Sequence, residues 1–133
     1  MVKIDRILLV DDDNITNFLN VRLIKKMNLS SEIKIANNGQ EALAYLKEAK
    51  TKRIPNPSLI FLDLNMPIMN GFEFINSIKG NKTWNKRPVI IVLSSSENKT
   101  EINVLKDLNV VSDFLVKPLT EEKIQSVVNK YFS

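Results

Sequence analysis

Five short apolar runs, separated by segments with a helical period, constrain the fold of this chain more than any other feature. The runs are Ile7–Val10, Ile33–Ala36, Leu59–Leu62, Val89–Leu93 and Phe114–Val116. Four of them are nearly continuous in aliphatic and β-branched residues, which is typical of strands buried on both faces of a parallel sheet. The second run is interrupted by Lys34, which favours an edge strand.

The segments between the runs have the period of amphipathic helices. Two apolar stripes recur at spacings of three and four residues, one being Ile15, Phe18, Leu19, Leu23 and Met27 and the other Ile124, Val127, Val128 and Tyr131. Helix-capping residues stand at Asn38, Asn70, Asn98 and Thr120. Five βα units joined by right-handed crossovers predict one α/β domain over residues 1–133, doubly wound, with helices on both faces of a parallel sheet.

Composition excludes several kinds of chemistry. The 133 residues include no cysteine and no histidine, so disulfides, thiolate metal sites, Ser–His triads and a phosphohistidine on this chain are excluded. The apolar runs are too short to span a membrane and the N-terminus lacks an apolar signal segment, so we predict a cytoplasmic protein without a membrane partner. The net charge of +4 is only a weak indication of an anionic partner.

Polar side chains follow four of the five predicted strands. They are Asp11, Asp12 and Asp13 after the first strand, Asp63 after the third, Ser94, Ser95 and Ser96 after the fourth, and Lys117 after the fifth. Because ligands of doubly wound sheets bind at the carboxyl ends of the strands, we expect these groups to converge. Clustered carboxylates repel one another unless a cation intervenes, and an all-oxygen ligand set predicts Mg²⁺, with Mn²⁺ as a substitute. A carboxylate nucleophile, a hard cation, a hydroxyl and a lysine are the groups needed to form an aspartyl phosphate.

Four segments, in this order and each at a strand end, resemble the response-regulator receiver domain, the family of the single-domain chemotaxis receiver. They are Leu9-Val10-Asp11-Asp12, Leu62-Asp63-Leu64-Asn65-Met66-Pro67 running on to Asn70-Gly71, Val92-Leu93-Ser94-Ser95, and Phe114-Leu115-Val116-Lys117-Pro118. The resemblance covers essentially the whole chain. It implies a flavodoxin-like sheet of five parallel strands in the order 2-1-3-4-5.

The resemblance also implies a phosphoacceptor and its metal ligands. Asp63 resembles the phosphoacceptor. Asp12 would bind Mg²⁺ directly, Asp11 directly or through water, and the backbone carbonyl of Asn65 would be the third protein ligand. We interpret Asp13 as a cap of the first helix, with a metal contact as the alternative.

Three further positions match the part of the family's site that responds to the phosphoryl group. Ser94 stands at the switch hydroxyl, with Ser95 as the competing candidate, and Phe114 at the switch aromatic. Lys117 would pair with the phosphoryl group, and the Lys117–Pro118 bond is cis in the family.

Together these positions predict a phosphorylation-driven switch in a two-component phosphorelay. A partner histidine kinase or histidine phosphotransfer protein, or a small acyl phosphate, would donate to Asp63. The chain is then a signalling receiver, not an enzyme, although it assists its own Mg²⁺-dependent phosphorylation and dephosphorylation. An unknown downstream protein would bind the fourth helix, fifth strand and fifth helix, with Val104 as a candidate contact. We find no DNA-binding domain in these residues, and Met1 and the closing residues favour a complete stand-alone receiver over an excised piece.

Two other functions are less well supported by the residues. A phosphatase with an aspartate nucleophile needs a second acid two residues further on, where this chain has Asn65. A receiver-like module that binds partners without phosphorylation is disfavoured by the intact set of Asp12, Asp63, Ser94 and Lys117. Seven basic residues predict a separate basic pole at the amino ends of the strands: Lys50, Lys52, Arg53, Lys79, Lys82, Lys86 and Arg87.

Overall fold

The computed structural model describes residues 3–80, 87–95 and 110–132, and all five apolar runs form strands within them. The strands are β1 (Ile7–Val10), β2 (Ile33–Ala36), β3 (Leu59–Asp63), β4 (Val89–Ser94) and β5 (Asp113–Val116). The helices are α1 (Asn14–Lys26), α2 (Gly39–Thr51), α3 (Gly71–Ile78) and α4 (Glu121–Tyr131). The last of these is the fifth helix of the sequence prediction. The helix predicted between β4 and β5 lies outside the described residues, as do Ser96 and Val104.

The strands form one parallel sheet in the order β2-β1-β3-β4-β5, which confirms the predicted topology and the edge position of the second strand. Side chains alternate between its faces, so that Leu8 and Val10 join one apolar cluster while Ile7 and Leu9 join another. Helices α2 and α3 cover the first cluster, and α1 and α4 cover the second. Each large side chain buried in this way contributes roughly 1.5–3 kcal/mol.

Helix α1 forms where its apolar stripe predicts a helix, but only the later members of the stripe, Leu23 and Met27, pack against the second apolar cluster. Its buried residues are Asn17, Asn20 and Ile24, whereas Ile15, Phe18 and Leu19 are 71%, 64% and 53% exposed. The Nδ2 of Asn17 donates a hydrogen bond of 2.9 Å to the backbone carbonyl of Asp11, directly after β1. This bond offsets part of the cost of burying the amide, whose Oδ1 has no hydrogen-bond partner among the described residues, and it holds this face of the helix against the sheet.

The predicted capping residues begin three of the helices. The side chains of Asn38, Asn70 and Thr120 accept hydrogen bonds from the third backbone N–H of α2, α3 and α4. Asp13 caps α1 by accepting from the Ile15 N–H, as predicted, while Asn98 lies outside the described residues. None of the described helices is long and apolar enough to cross a membrane.

Candidate functional site

Three carboxylates meet at the carboxyl ends of the two central strands. Asp63 is the last residue of β3, and Asp11 and Asp12 directly follow the neighbouring β1. Each of the three places a carboxylate oxygen within 4.8 Å of the other two. Asp11 and Asp63 are only 4% and 6% exposed, while Asp12 faces solvent. Such a cluster of hard oxygen ligands, open on one side, suits a divalent cation that keeps part of its water.

Lys117 reaches this cluster from the far side of the sheet. Its Nζ lies 2.9 Å from Asp11 Oδ2 and 3.4 Å from Asp63 Oδ1. Because β4 separates β5 from β3, the side chain crosses the end of β4 to make these contacts. The backbone N–H of Lys117 donates to the carbonyl oxygen of Ser94 at 2.7 Å, which fixes the start of the loop after β5.

The pKa values of Asp63 and Lys117 are both raised above their ordinary values, for different reasons. Burial raises the pKa of Asp63, and the charge of Asp11 raises it further, against the opposing effects of Lys117 and of the Asn65 N–H that donates to this carboxylate. For Lys117, burial alone would lower the pKa. The hydrogen bond and charge of Asp11, together with the charge of Asp63, outweigh burial and raise it. Lys117 therefore stays charged beside the two acids.

The switch residues implied by the resemblance lie on β4 and β5. Ser94 ends β4 and is buried, whereas Ser95 is exposed. Phe114 is half-buried on β5, where it lies next to Val92 in register and packs against the apolar cluster of that face. The roles of Ser94 and Phe114 in switching stay predictions. The Lys117–Pro118 peptide bond is cis, as the resemblance implies.

A short, tightly packed loop follows Asp63. The N–H of Gly71 donates to the Leu64 carbonyl at 3.0 Å, and the N–H of Gly39, the first residue of α2, donates to the Met69 carbonyl at 2.8 Å. Ile68 has a φ of 68° and is 75% exposed. A β-branched residue in the left-handed region is a strained outlier, and such outliers cluster at functional sites.

Comparison with known proteins agrees with this geometry. A sequence model of the response regulator receiver domain matches residues 7–129. The chain belongs to this family. Receiver domains are the signalling domains of two-component response regulators, and the curated response regulator Rcp1 from Synechocystis is 33% identical over 105 residues, which are 78% of this chain and 71% of Rcp1.

Solved structures of receiver domains superpose closely on the chain. A two-component response regulator from Cytophaga hutchinsonii is 33% identical with a TM-score of 0.86, covering 96% of both chains. Another from Legionella pneumophila is 27% identical with a TM-score of 0.81, covering 95% of this chain and 96% of the other. The sensory transduction protein LytT of Bacillus subtilis is 32% identical over 127 residues, but this chain corresponds to only 47% of its length.

The residue of this receiver domain that sequence reasoning missed is Asn17. Its hydrogen bond to the Asp11 carbonyl positions the loop that carries Asp11 and Asp12. The signal was present, because Asn17, Asn20 and Ile24 recur at spacings of three and four residues, as a buried helix face does. The apolar stripe on the other side of α1 outweighed it.

The predicted basic pole lies at the opposite end of the receiver's sheet. A surface depression of about 990 Å³ is lined there by Lys47, Lys50, Arg53 and Arg87, with Asp5 as an acidic neighbour. Lys82 and Lys86 lie outside the described residues. The depression shares no lining residue with the carboxylate cluster, so the two ends of the domain are chemically separate.

Proposed function

We propose that Asp63 accepts a phosphoryl group from the phosphohistidine of a partner histidine kinase or histidine phosphotransfer protein, and that this switches a protein-binding surface of the receiver. The observation that carries the proposal is the buried Asp63 carboxylate, held beside Asp11, Asp12 and the ammonium of Lys117 at the carboxyl ends of the strands. In this proposal the whole chain, residues 1–133, acts as a single receiver domain.

The transfer needs a nucleophile, positive charge and exclusion of water. A carboxylate oxygen of Asp63 attacks phosphorus, the bond from phosphorus to the imidazole nitrogen breaks, and the imidazole leaves with the electron pair. Lys117, 3.4 Å from Asp63, is placed to stabilise the negative charge on the phosphoryl oxygens. Since phosphoryl transfer depends mainly on positioning and electrostatics, the receiver itself supplies much of the catalysis. It would equally assist the later attack of water that removes the group.

The donor chemistry of the cluster fits Mg²⁺, or Mn²⁺ in its place. Asp11, Asp12, Asp63 and the carbonyl of Asn65 would hold the ion, and all four offer hard oxygen ligands. When bound, the ion would neutralise negative charge on the phosphoryl oxygens. Asp11 is already oriented for this role: its Oδ1 accepts from the Asp13 N–H at 2.9 Å, and its Oδ2 accepts from Lys117.

The switching step would use Ser94 and Phe114. The hydroxyl of Ser94 would move to donate a hydrogen bond to a phosphoryl oxygen, and Phe114 would follow into the space released. Ser94 is favoured over Ser95 because it is buried at the end of β4 while Ser95 is exposed. The rearrangement would bias the surface around β5 and α4 toward an unidentified downstream protein.

The exposed face of α1 supports a protein donor over a small molecule alone. Ile15, Phe18 and Leu19 lie on the first two turns of the helix, three to eight residues after Asp11 and Asp12 of the cluster. Contiguous exposed apolar side chains of this size are typical of interaction sites. A partner docked on them would bring its phosphohistidine to Asp63.

The proposal is tested by intact-protein mass spectrometry after incubation with Mg²⁺ and acetyl phosphate. We expect the wild type to gain one phosphoryl group and Asp63→Asn to gain none. Asp5→Asn removes an exposed acid at the amino end of the sheet and is the matched control, which should be labelled like the wild type. An unlabelled wild type, or equal labelling of Asp63→Asn, would overturn the proposal.

A further inference from the structure

Helix α4 departs from the capping pattern of α2 and α3. The third residue of α2 is Glu41 and that of α3 is Glu73, and Glu73 completes a reciprocal capping box with Asn70. The third residue of α4 is Lys123. A cation in the first turn opposes the helix dipole, and a lysine cannot accept the N–H that a glutamate accepts there.

Lys123 makes two other contacts instead. Its Nζ donates to the backbone carbonyl of Val116 at 2.6 Å and to that of Pro118 at 3.0 Å. These two residues flank Lys117 in the chain. The side chain of Lys123 is partly buried and its backbone N–H is held by the Thr120 hydroxyl at 3.2 Å, so the ammonium links the start of α4 to both sides of Lys117.

We infer that Lys123 is a positioning residue for Lys117. It fixes the backbone on either side of Lys117 so that the long side chain can cross β4 and lie between Asp11 and Asp63. Without the contacts of Lys123, the backbone at Lys117 would be held by the hydrogen bond from its own N–H to the carbonyl oxygen of Ser94 on β4. The first turn of α4 thus carries an unfavourable capping residue at a place where that residue orders Lys117, and functional sites are where local rules are expected to be broken.

A first test follows the loop itself and does not depend on the proposed function. Lys123→Met keeps a long helix-forming side chain but removes the donor. We expect amide hydrogen exchange at Lys117 to be about tenfold faster in this variant, with exchange at Leu62 in β3 unchanged. Lys123→Arg, which keeps a charged donor, should restore protection. Unchanged exchange at Lys117 in Lys123→Met would overturn the inference.

A second test measures phosphorylation of Asp63 and rests on the proposed function. With Mg²⁺ and acetyl phosphate, Lys123→Met should react about tenfold more slowly than the wild type, because small misplacements of charged groups are costly. Lys123→Arg and Lys130→Met should stay within about twofold. Lys130 is the matched control, since it is a lysine of the same helix that contacts Asp113 instead. A loss of equal size in Lys130→Met would overturn the inference.

The double variant separates positioning from a general effect on the fold. If Lys123 acts through Lys117, then Lys123→Met should cause no further loss of rate in a Lys117→Ala background. Full additivity of the two losses would overturn the inference. Should Lys123→Met fold poorly by circular dichroism, Lys123→Leu replaces it, because leucine is a good helix former without a side-chain donor. A wild type that takes no phosphoryl group defeats the proposed function alone, and the exchange experiment still decides the role of Lys123.

Discussion

At the carboxyl ends of the strands, Asp11 and Asp63 are nearly buried and Lys117 lies within 3.4 Å of both. At the amino ends, Asp5 and Lys50 are exposed around an open depression. Both ends therefore carry acids and bases, but the same residue types are held in different surroundings. Water and salt screen the exposed charges, whereas the buried ones act on each other through a medium of lower dielectric constant.

Among the residues that the structure describes, this difference explains why the carboxyl end is better suited to chemistry than the amino end. Exposed ion pairs contribute little and can be altered one at a time, while each buried group at the carboxyl end sets the charge, position or pKa of the next. Removing a residue there should affect function well beyond its own contacts. Pairs of matched substitutions at the two ends can test this.

The largest contrast is expected between Lys117→Ala and Lys50→Ala. Loss of the ammonium beside Asp63 should slow Mg²⁺-dependent phosphorylation by about 100-fold, as for the loss of one strong electrostatic donor, and should abolish switching. Lys50→Ala removes an exposed lysine and should leave the rate unchanged. Both rates are measured by intact mass with acetyl phosphate. Circular dichroism should show a folded Lys117→Ala, and collapse of that variant would instead assign Lys117 a structural role.

A smaller contrast is expected between Gly71, the first residue of α3, and Gly80, two residues beyond its end. A Cβ on Gly71 would lie 2.7 Å from the Asp63 carbonyl oxygen and 2.9 Å from Leu64 Cα, so the backbone of the loop after Asp63 would have to move. Gly71→Ala should lower the free energy of unfolding by about 1–3 kcal/mol. A Cβ on Gly80, at the amino end, would meet no atom of the described residues within 4 Å beyond its chain neighbours. Gly80→Ala should therefore change stability by less than about 1 kcal/mol.

Urea unfolding of the two alanine variants measures this difference. Equal stability of Gly71→Ala and wild type would mean that the loop after Asp63 adapts freely. Tight packing would then not distinguish the carboxyl end of the sheet from the amino end. Loss of stability in Gly80→Ala alone would reverse the comparison of the two ends.

The sequence predicted the sheet and the convergence of the polar side chains at its carboxyl end because both depend on short-range patterns. Apolar runs located every strand, and the rule that ligands bind at strand ends brought Asp11, Asp63 and Lys117 together. The buried face of α1 was not predictable in the same way, since Ile15, Phe18 and Leu19 of its apolar stripe are exposed while Asn17 is buried and donates to the Asp11 carbonyl. The role of Lys123 was also hidden, because its two acceptors are backbone carbonyls, which carry no sequence signal.

The smallest contrast concerns the pH dependence of stability in metal-free protein. Because burial raises the pKa of Asp63 above its ordinary value, the folded state binds this proton more tightly than the unfolded state. Protonated Asp63 therefore favours the folded state. Its contribution to stability is fully present below the ordinary pKa of an aspartate and is lost as the pH rises through the raised pKa of Asp63 in the folded protein.

Asp63→Asn cannot ionise, so it should gain stability relative to the wild type at pH 7 and gain less at pH 3. Lys117 keeps its 2.9 Å contact with Asp11 in this variant, so no lysine is left unpaired. Urea unfolding in a chelator at both pH values measures the gain, with Asp5→Asn expected to show little change. An equal gain in stability at pH 3 and pH 7 would mean that burial does not disfavour the charged form of Asp63. The proposed electrostatic difference between the buried carboxyl end and the exposed amino end of the sheet would then be wrong.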